Sequence, residues 1–227
     1  VSAPGVSIVV PALDEAPGIA ATLAALQPLR ARGCELVVVD GGSGDGTGEL
    51  ARPLADRVIV APRGRGAQMN AGARASRGEI LLFLHADTRL AEGAVDAVRS
   101  ALAEPGRAWG RFDVDISGRH PLLWLVARLM SLRSRLTGIA TGDQAIFVRR
   151  DGFEAVGGFP EIPLMEDVAL SRALGRLSRP ACLRLRVVTS GRRWESRGVV
   201  RTVLLMWWLR LLYWLGRDPA ALARRYG

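Results

Sequence analysis

Val6 to Val10 (VSIVV) is a short β-branched run stopped by Pro11, and Glu35 to Val39 (ELVVV) is a second, stopped by Asp40. Runs this short and this apolar predict parallel strands buried on both faces. Between them Ile19, Leu23, Leu26 and Leu29 recur at helical spacing, which gives a strand, helix, strand unit. Arg57 to Ala61 and Glu79 to Leu84 predict a third and a fourth strand, separated by an Ala-rich helical stretch from Gly66 to Ser76. Four strands alternating with helices argue for an open α/β sheet. Such sheets bind ligands at the carboxyl ends of their strands. The polar residues found there are Asp14 and Glu15 after the first strand, Asp40 after the second, and His85 and Asp87 after the fourth.

The second half is less regular. Trp109 to Ser117 alternates apolar and polar residues, the pattern of a strand with an exposed face. Pro121 to Leu136 places Leu122, Leu125, Leu129, Leu132 and Leu136 on one helical face and Arg128 and Arg135 on another, a basic amphipathic helix. A loop over Gly138–Asp143, a short strand over Ala145–Val148, a turn at Gly157 and Gly158, and a helix starting near Glu166 follow. Val199 to Gly216 is the most hydrophobic segment. It is shorter than the roughly 20 apolar residues of a spanning helix, and Arg201 and Arg210 interrupt it. A central Arg costs about 2.5–3.5 kcal/mol on insertion. Burial against the domain or shallow insertion into one leaflet, with Trp207, Trp208, Tyr213 and Trp214 at the headgroups, are the readings that remain.

A chain of 227 residues, 49% hydrophobic and 23% charged, fits one globular enzyme core and excludes both a disordered chain and a polytopic membrane protein. The net charge of +9 is uneven. Residues 1–148 are nearly neutral and residues 149–227 are basic, which suits a negatively charged partner or membrane surface near the end of the chain. Two cysteines, Cys34 and Cys182, support neither a disulfide framework nor a zinc site, so the expected compartment is the reducing cytoplasm, or the cytoplasmic face of a membrane. The opening residues lack the basic, then apolar, then small-residue pattern of a leader, so no signal peptide is expected.

Asp40 begins DGGSGDGT, a strand end followed by a glycine-rich turn and a helix at Thr47. Glycines admit a nucleotide close to the backbone, and a strand-end carboxylate can accept hydrogen bonds from a base or ribose. The stretch lacks both the dinucleotide GxGxxG spacing and the GKS or GKT ending of a phosphate loop, and an ordinary tight turn accounts for it equally well. His85 and Asp87 stand two apart at the open end of an apolar strand, where Asp87 offers a hard oxygen ligand for a divalent ion. Glu166 and Asp167 sit at a helix start, as caps or as a general base. Arg192, Arg193 and Trp194 combine guanidiniums with an indole, suited to a diphosphate or to a solvated loop.

Taken in order, these stretches resemble the family 2 glycosyltransferases over almost the whole chain. VSIVVPALDE is similar to the opening strand and Pro-x-x-Asn-Glu turn, which implies nucleotide contacts for Pro11, Ala12 and Glu15. VVVDGGSGDGT resembles the Asp-Asp-Gly-Ser-x-Asp-x-Thr stretch and implies that Asp40 holds the base. RGRGAQMNAGARASRGEILLFLHADT resembles the segment that ends in Asp-x-Asp, with Arg65 near the base and Asp87 on the metal- and diphosphate-binding carboxylate. GGFPEIPLMEDVALSRAL resembles the stretch with the catalytic acid pair, implying Asp167 as base beside Glu166. SGRRW is similar to Gln-x-x-Arg-Trp and puts Arg193 and Trp194 on the diphosphate and acceptor side, with Asp143 and Gln144 also facing the acceptor. His85 replaces the first acid of Asp-x-Asp, which makes it a doubtful second metal ligand; Gly41 replaces the second acid after Asp40, Asp14 the usual Asn, and Ser190 the Gln.

The resemblance implies a GT-A fold, a Rossmann-like open and mostly parallel sheet flanked by helices. The expected division is a catalytic domain over residues 1–198, with its nucleotide-binding half to about 105 and its acceptor half from about 106, and a Trp-rich helical tail over 199–227. The implied activity is inverting transfer of one sugar from a nucleotide-diphosphate donor, a UDP-sugar by preference, assisted by Mn²⁺ or Mg²⁺. The acceptor is open, and a lipid or amphiphile fits the leucine-faced helix and the tail, which could also be packed inside or form a homodimer contact. A sugar-phosphate nucleotidyltransferase is the alternative enzyme, although PALDE is acidic and lacks the glycine-rich basic loop of that class. A non-catalytic membrane-binding module is the third reading. Nucleic acid is not an expected partner, because the aromatics interleaved with arginine lie in the apolar tail.

Overall fold

The computed structural model describes residues 5–226. The four anticipated strands are β1 (Val6–Ala12), β2 (Glu35–Asp40), β3 (Arg57–Val60) and β4 (Ile80–Phe83), joined by α1 (Ala16–Ala31), the short α2 (Thr47–Ala51) with one 3₁₀ turn, and α3 (Arg65–Ala75). β1 pairs in parallel with β2 and with β4, and β2 pairs in parallel with β3. The later strands are β5 (Thr88–Arg89), β6 (Trp109–Ser117), β7 (Phe147–Arg149) and β8 (Ala181–Ser190). They complete an eight-stranded sheet of order β3-β2-β1-β4-β7-β6-β8-β5. β7 runs antiparallel to both neighbours, β8 is parallel to β6, and β5 closes the edge antiparallel to β8.

The period of two along β1 sorts its side chains onto two cores. Val6, Ile8 and Val10 pack with Ile19, Leu23 and Leu26 of α1, whereas Val9 packs with Val37, Val39, Met69 and Ala73 under α3. Each such fully buried Val or Leu contributes about 1.5–3 kcal/mol relative to exposure. Gly72 lets α3 lie directly on the sheet, since a Cβ there would come within 2.3 Å of Val9 Cγ1.

The expected exposed strand at Trp109–Ser117 is instead interior. Trp109, Arg111 and Phe112 are fully buried, and the strand lies between β7 and β8. Its alternating polar residues are paired internally: Arg111 bonds the carboxylate of Asp113 and donates to the carbonyl of Ser131 at 3.0 Å, and Asp113 also accepts from Arg135 at 2.7 Å. Ser131 and Arg135 belong to α5 (Leu122–Thr137), the expected amphipathic helix. It turns Leu123, Ala127, Ser131 and Ser134 inward and leaves Leu122, Leu125, Leu129, Leu132 and Leu136 substantially exposed. Small residues toward the sheet, and the Ser131 carbonyl that accepts from Arg111, accommodate the buried guanidinium, so the more apolar stripe faces out.

α4 (Ala94–Ala103), α6 (Arg150–Ala155), α7 (Glu166–Leu174), α8 (Arg192–Arg197), α9 (Val199–Trp214) and α10 (Pro219–Tyr226) complete the chain. The expected strand at Ala145–Val148 begins only at Phe147, because Ala145 takes a left-handed conformation with φ 46°. α9 buries Val199, Thr202 and Leu209, and Leu209 packs with Leu164, Met165, Val168 and Leu222. Its other side exposes Leu204, Trp207, Trp208 and Trp214. No helix among the described residues is long and apolar enough to cross a membrane.

Candidate functional site

The turns that leave β1 and β2 hold each other. Asp45 accepts the Ala16 amide at the start of α1, Thr47 Oγ1 accepts the Glu15 amide at 2.8 Å, Ser43 Oγ accepts the Asp14 amide, and Asp14 in return accepts the Gly44 amide. Short Ser, Thr and Asp side chains suit this work because they reach neighbouring backbone amides without crossing a core. Gln68, on the buried side of α3, donates to the carbonyls of Ala12 and Val39 and ties the two strand ends together. Asn70 makes two hydrogen bonds with the backbone of Phe159, so the loop that leads to α7 is moored to the same helix.

These strand ends, α5 and α9 enclose a cleft of about 1390 Å³. Pro11, Ala12, Glu15, Arg65, His85, Asp87, Asp143, Glu166, Asp167, Arg193 and Trp194 all line it, from segments that run almost the length of the chain. Two candidates stand apart from it. Asp40 is buried beneath its own turn, where one carboxylate oxygen accepts both the amide and the hydroxyl of Ser43, so in this structure it organises the turn. Gln144 is fully buried; its Oε1 accepts the Thr141 amide at 3.2 Å and its amide nitrogen donates to Phe112 at 3.4 Å, which shapes the Thr141–Gly142 backbone.

That backbone joins the two carboxylate centres. The Gly142 amide donates to Oδ2 of Asp167 at 2.8 Å, while Oδ1 accepts the amide of Val168 at 2.7 Å. A Cβ on Gly142 would lie 2.3 Å from Nε2 of His85, so only glycine fits between the imidazole and Asp167. Nδ1 of His85 faces Oδ1 of Asp143 at 3.3 Å. With one nitrogen on Asp143 and the other packed on Gly142, His85 is poorly disposed as a metal ligand. Asp87 is the carboxylate left open to the cleft at the end of β4, and no group of three His, Cys, Asp or Glu side chains among the described residues could hold an ion. One hard oxygen donor with room beside it fits a divalent ion that takes its remaining ligands from phosphate and water.

The electrostatics divide the acids. Burial opposes the charged form of Asp143, but the hydrogen bond from His85 and the charges of His85, Arg65 and Arg193 outweigh it and hold the carboxyl below its ordinary value. Glu166 goes the other way, raised first by burial and then by the adjacent Asp167 charge. Met165, immediately before this pair, adopts a left-handed conformation with φ 70°. Such strain costs about 1–3 kcal/mol and is characteristic of functional sites. Glu15 reaches across to Arg192 of α8 at 3.2 Å, linking the first turn to the segment that carries Arg193 and Trp194.

Two arginines that shape the cleft lie outside every motif: Arg133 of α5 and Arg210 of α9. Arg210 does carry a signal, as one of two cations, with Arg201, in an otherwise largely apolar helix, whereas Arg133 is one of several arginines on α5.

The family model for Glycosyl transferase family 2 matches residues 7–153. No curated protein matches the chain. Among solved structures, the mannosyltransferase PcManGT from Pyrobaculum calidifontis, in complex with GDP-Man and Mn²⁺, is 24% identical with a TM-score of 0.68, and the match covers 100% of this chain and 66% of that one. Glucosyl-3-phosphoglycerate synthase from Mycobacterium tuberculosis, in complex with Mn²⁺, UDP and phosphoglyceric acid, is 22% identical with a TM-score of 0.65, covering 92% of this chain and 78% of that one. Mannosyl-3-phosphoglycerate synthase from Rubrobacter xylanophilus is 22% identical with a TM-score of 0.59, covering 94% and 75%. At these identities the likeness establishes a shared fold.

Proposed function

The chain belongs to glycosyl transferase family 2, and from that premise we propose that it transfers a single sugar from a nucleotide-diphosphate donor to an acceptor hydroxyl with inversion at the anomeric carbon. The observation that carries this reading is the convergence on one cleft of Asp87 at the end of β4 and Asp167 at the start of α7, with Arg65, Arg193 and Trp194 around them. The solved structures of the same fold with Mn²⁺ and GDP-Man, or Mn²⁺ and UDP, support a donor of this kind and a divalent cation.

In this reading Pro11, Ala12, Glu15 and Arg65 flank the nucleotide, and Asp40 acts by holding the adjoining turn. Asp87 would hold the cation, which when bound supplies positive charge to the diphosphate as it leaves. Asp167 takes the proton of the acceptor hydroxyl, whose oxygen attacks the anomeric carbon. The bond from that carbon to the diphosphate oxygen breaks, and its electron pair departs with the diphosphate, near Arg193. Two backbone amides fix the Asp167 carboxylate, so the base is held in position before the acceptor arrives. Glu166 is buried beside the base, and burial and the Asp167 charge push its carboxyl above the ordinary value.

The exposed apolar rim formed by α5 and α9 supports contact with a membrane surface on the acceptor side: Leu136 is 77% exposed, Trp207 66% and Trp214 70%. We place the division between catalytic domain and tail near residue 198, with α9 packed on the domain along one side. The direct test is incubation with a panel of UDP- and GDP-sugars and amphiphilic alcohols. Release of one nucleoside diphosphate in step with a product of inverted anomeric configuration by NMR is expected; retention of configuration would refute the single-displacement mechanism.

A further inference from the structure

Arg133 and Arg210 enter the cleft from facing helices, α5 and α9. Nε and Nη2 of Arg133 and Nε of Arg210 are shielded from solvent and have no hydrogen-bond partner among the described residues. Nε and Nη2 form one edge of a guanidinium, the edge whose two N–H groups point the same way and match two oxygens of a phosphate or carboxylate. Burial, and then the charge of Arg210, pull the Arg133 guanidinium down to about 10, while Asp167 works against them. Two cations that disfavour each other, with N–H donors left over toward one cleft, suit an anion.

The walls around the pair are apolar. Leu125, Leu129 and Leu132 of α5 face the cleft, as do Val203, Leu204 and Trp207 of α9. The strand ends hold Asp87 and the family-matched turns, while these two helices hold the arginines and the leucines, so the charge pair belongs to the apolar side of the cleft. It shares the cleft with the expected base, and the charge of Asp167 acts on both guanidiniums while that of Asp143 acts on Arg210. We propose that the acceptor is an amphiphile with a phosphate head bound between Arg133 and Arg210 and an apolar chain laid along the leucine and tryptophan walls. This deepens the transferase reading and rests on it.

The test is calorimetric titration of the full chain with three matched probes, octyl phosphate, 1-octanol and inorganic phosphate, with nucleotide binding measured on the same samples. Octyl phosphate is expected to bind at least about tenfold more tightly than either fragment. An Arg133→Met, Arg210→Met double variant is expected to lose at least about tenfold of that affinity, keep nucleotide binding, and melt no lower than the parent, because it sheds two partly buried charges with unpartnered N–H groups. Equal binding of octyl phosphate and octanol, or of octyl phosphate and inorganic phosphate, overturns the proposal, and so does an unaffected double variant. If the double variant does not fold, the wild type decides: octyl phosphate must raise its melting temperature and octanol must not. Failure here with nucleotide binding intact removes only the phosphate-headed acceptor, whereas loss of nucleotide binding in the wild type removes the transferase reading beneath it.

Discussion

The amide of Gly142 donates a hydrogen bond of 2.8 Å to Oδ2 of Asp167, and the same glycine leaves no room for a Cβ against Nε2 of His85. One backbone position thereby connects the strand end that carries His85 and Asp87 to the helix that carries Glu166 and Asp167. The Asp167→Asn variant keeps an oxygen to accept that amide but cannot take a proton. Its expected turnover is lower by roughly 10²- to 10⁴-fold with nucleotide affinity unchanged. Steady-state rates alongside nucleotide titration check both halves; near-normal turnover would remove Asp167 as the base.

Gly142→Ala forces a methyl into the His85 ring and must displace either the imidazole or the amide that holds Asp167. A loss of about 1–3 kcal/mol in stability is expected from overpacking. Turnover should fall as well, more than in Gly157→Ala, which meets no neighbour within 4 Å and carries only the penalty of a positive φ. Urea denaturation and rate measurements on the two variants separate local displacement from simple backbone strain.

Glu166 predicts a pH dependence of definite sign. Its carboxyl titrates above the ordinary 4.5, so above that pH the folded chain retains a proton that the unfolded chain has released. The contribution of this group to stability is most favourable below pH 4.5 and falls as pH rises through its folded value. Glu166→Gln should therefore gain stability relative to wild type on going from pH 4 to pH 8, by urea denaturation at each pH. A difference between the two that is the same at both ends would contradict the burial argument.

The exposed side of α9 predicts membrane association that point changes can remove without opening the core. Trp207→Gln with Trp214→Gln leaves Val199, Thr202 and Leu209 packed, and should reduce flotation with anionic vesicles. Equal flotation of variant and wild type would take α9 out of the account.

Much of the fold was legible because its signals are local. β-Branched runs bounded by Pro11 and Asp40 mark β1 and β2, and the acidic pair at Glu166 marks the start of α7. Other features depended on partners distant in sequence. Arg111 and Asp113 give β6 the look of an exposed strand, and only the Ser131 carbonyl and Arg135 explain how they are buried. Gln144 reads as a polar loop residue until Thr141 and Phe112 are placed around it. The leucines of α5 suggest the core face of a helix, yet the sheet beneath requires small residues there, and the stripe lines the cleft instead. Periodicity reports which residues share a face and is silent on which face the tertiary structure buries.

The central claim, a metal-dependent donor site built on Asp87, is tested most directly by calorimetric titration with UDP and GDP, with and without Mn²⁺, on wild type and Asp87→Ala. The account predicts that one nucleotide binds, that Mn²⁺ tightens it, and that the variant loses the Mn²⁺ effect while remaining folded. Binding of neither nucleotide by a folded wild type, or an Mn²⁺ effect unchanged in Asp87→Ala, would contradict it.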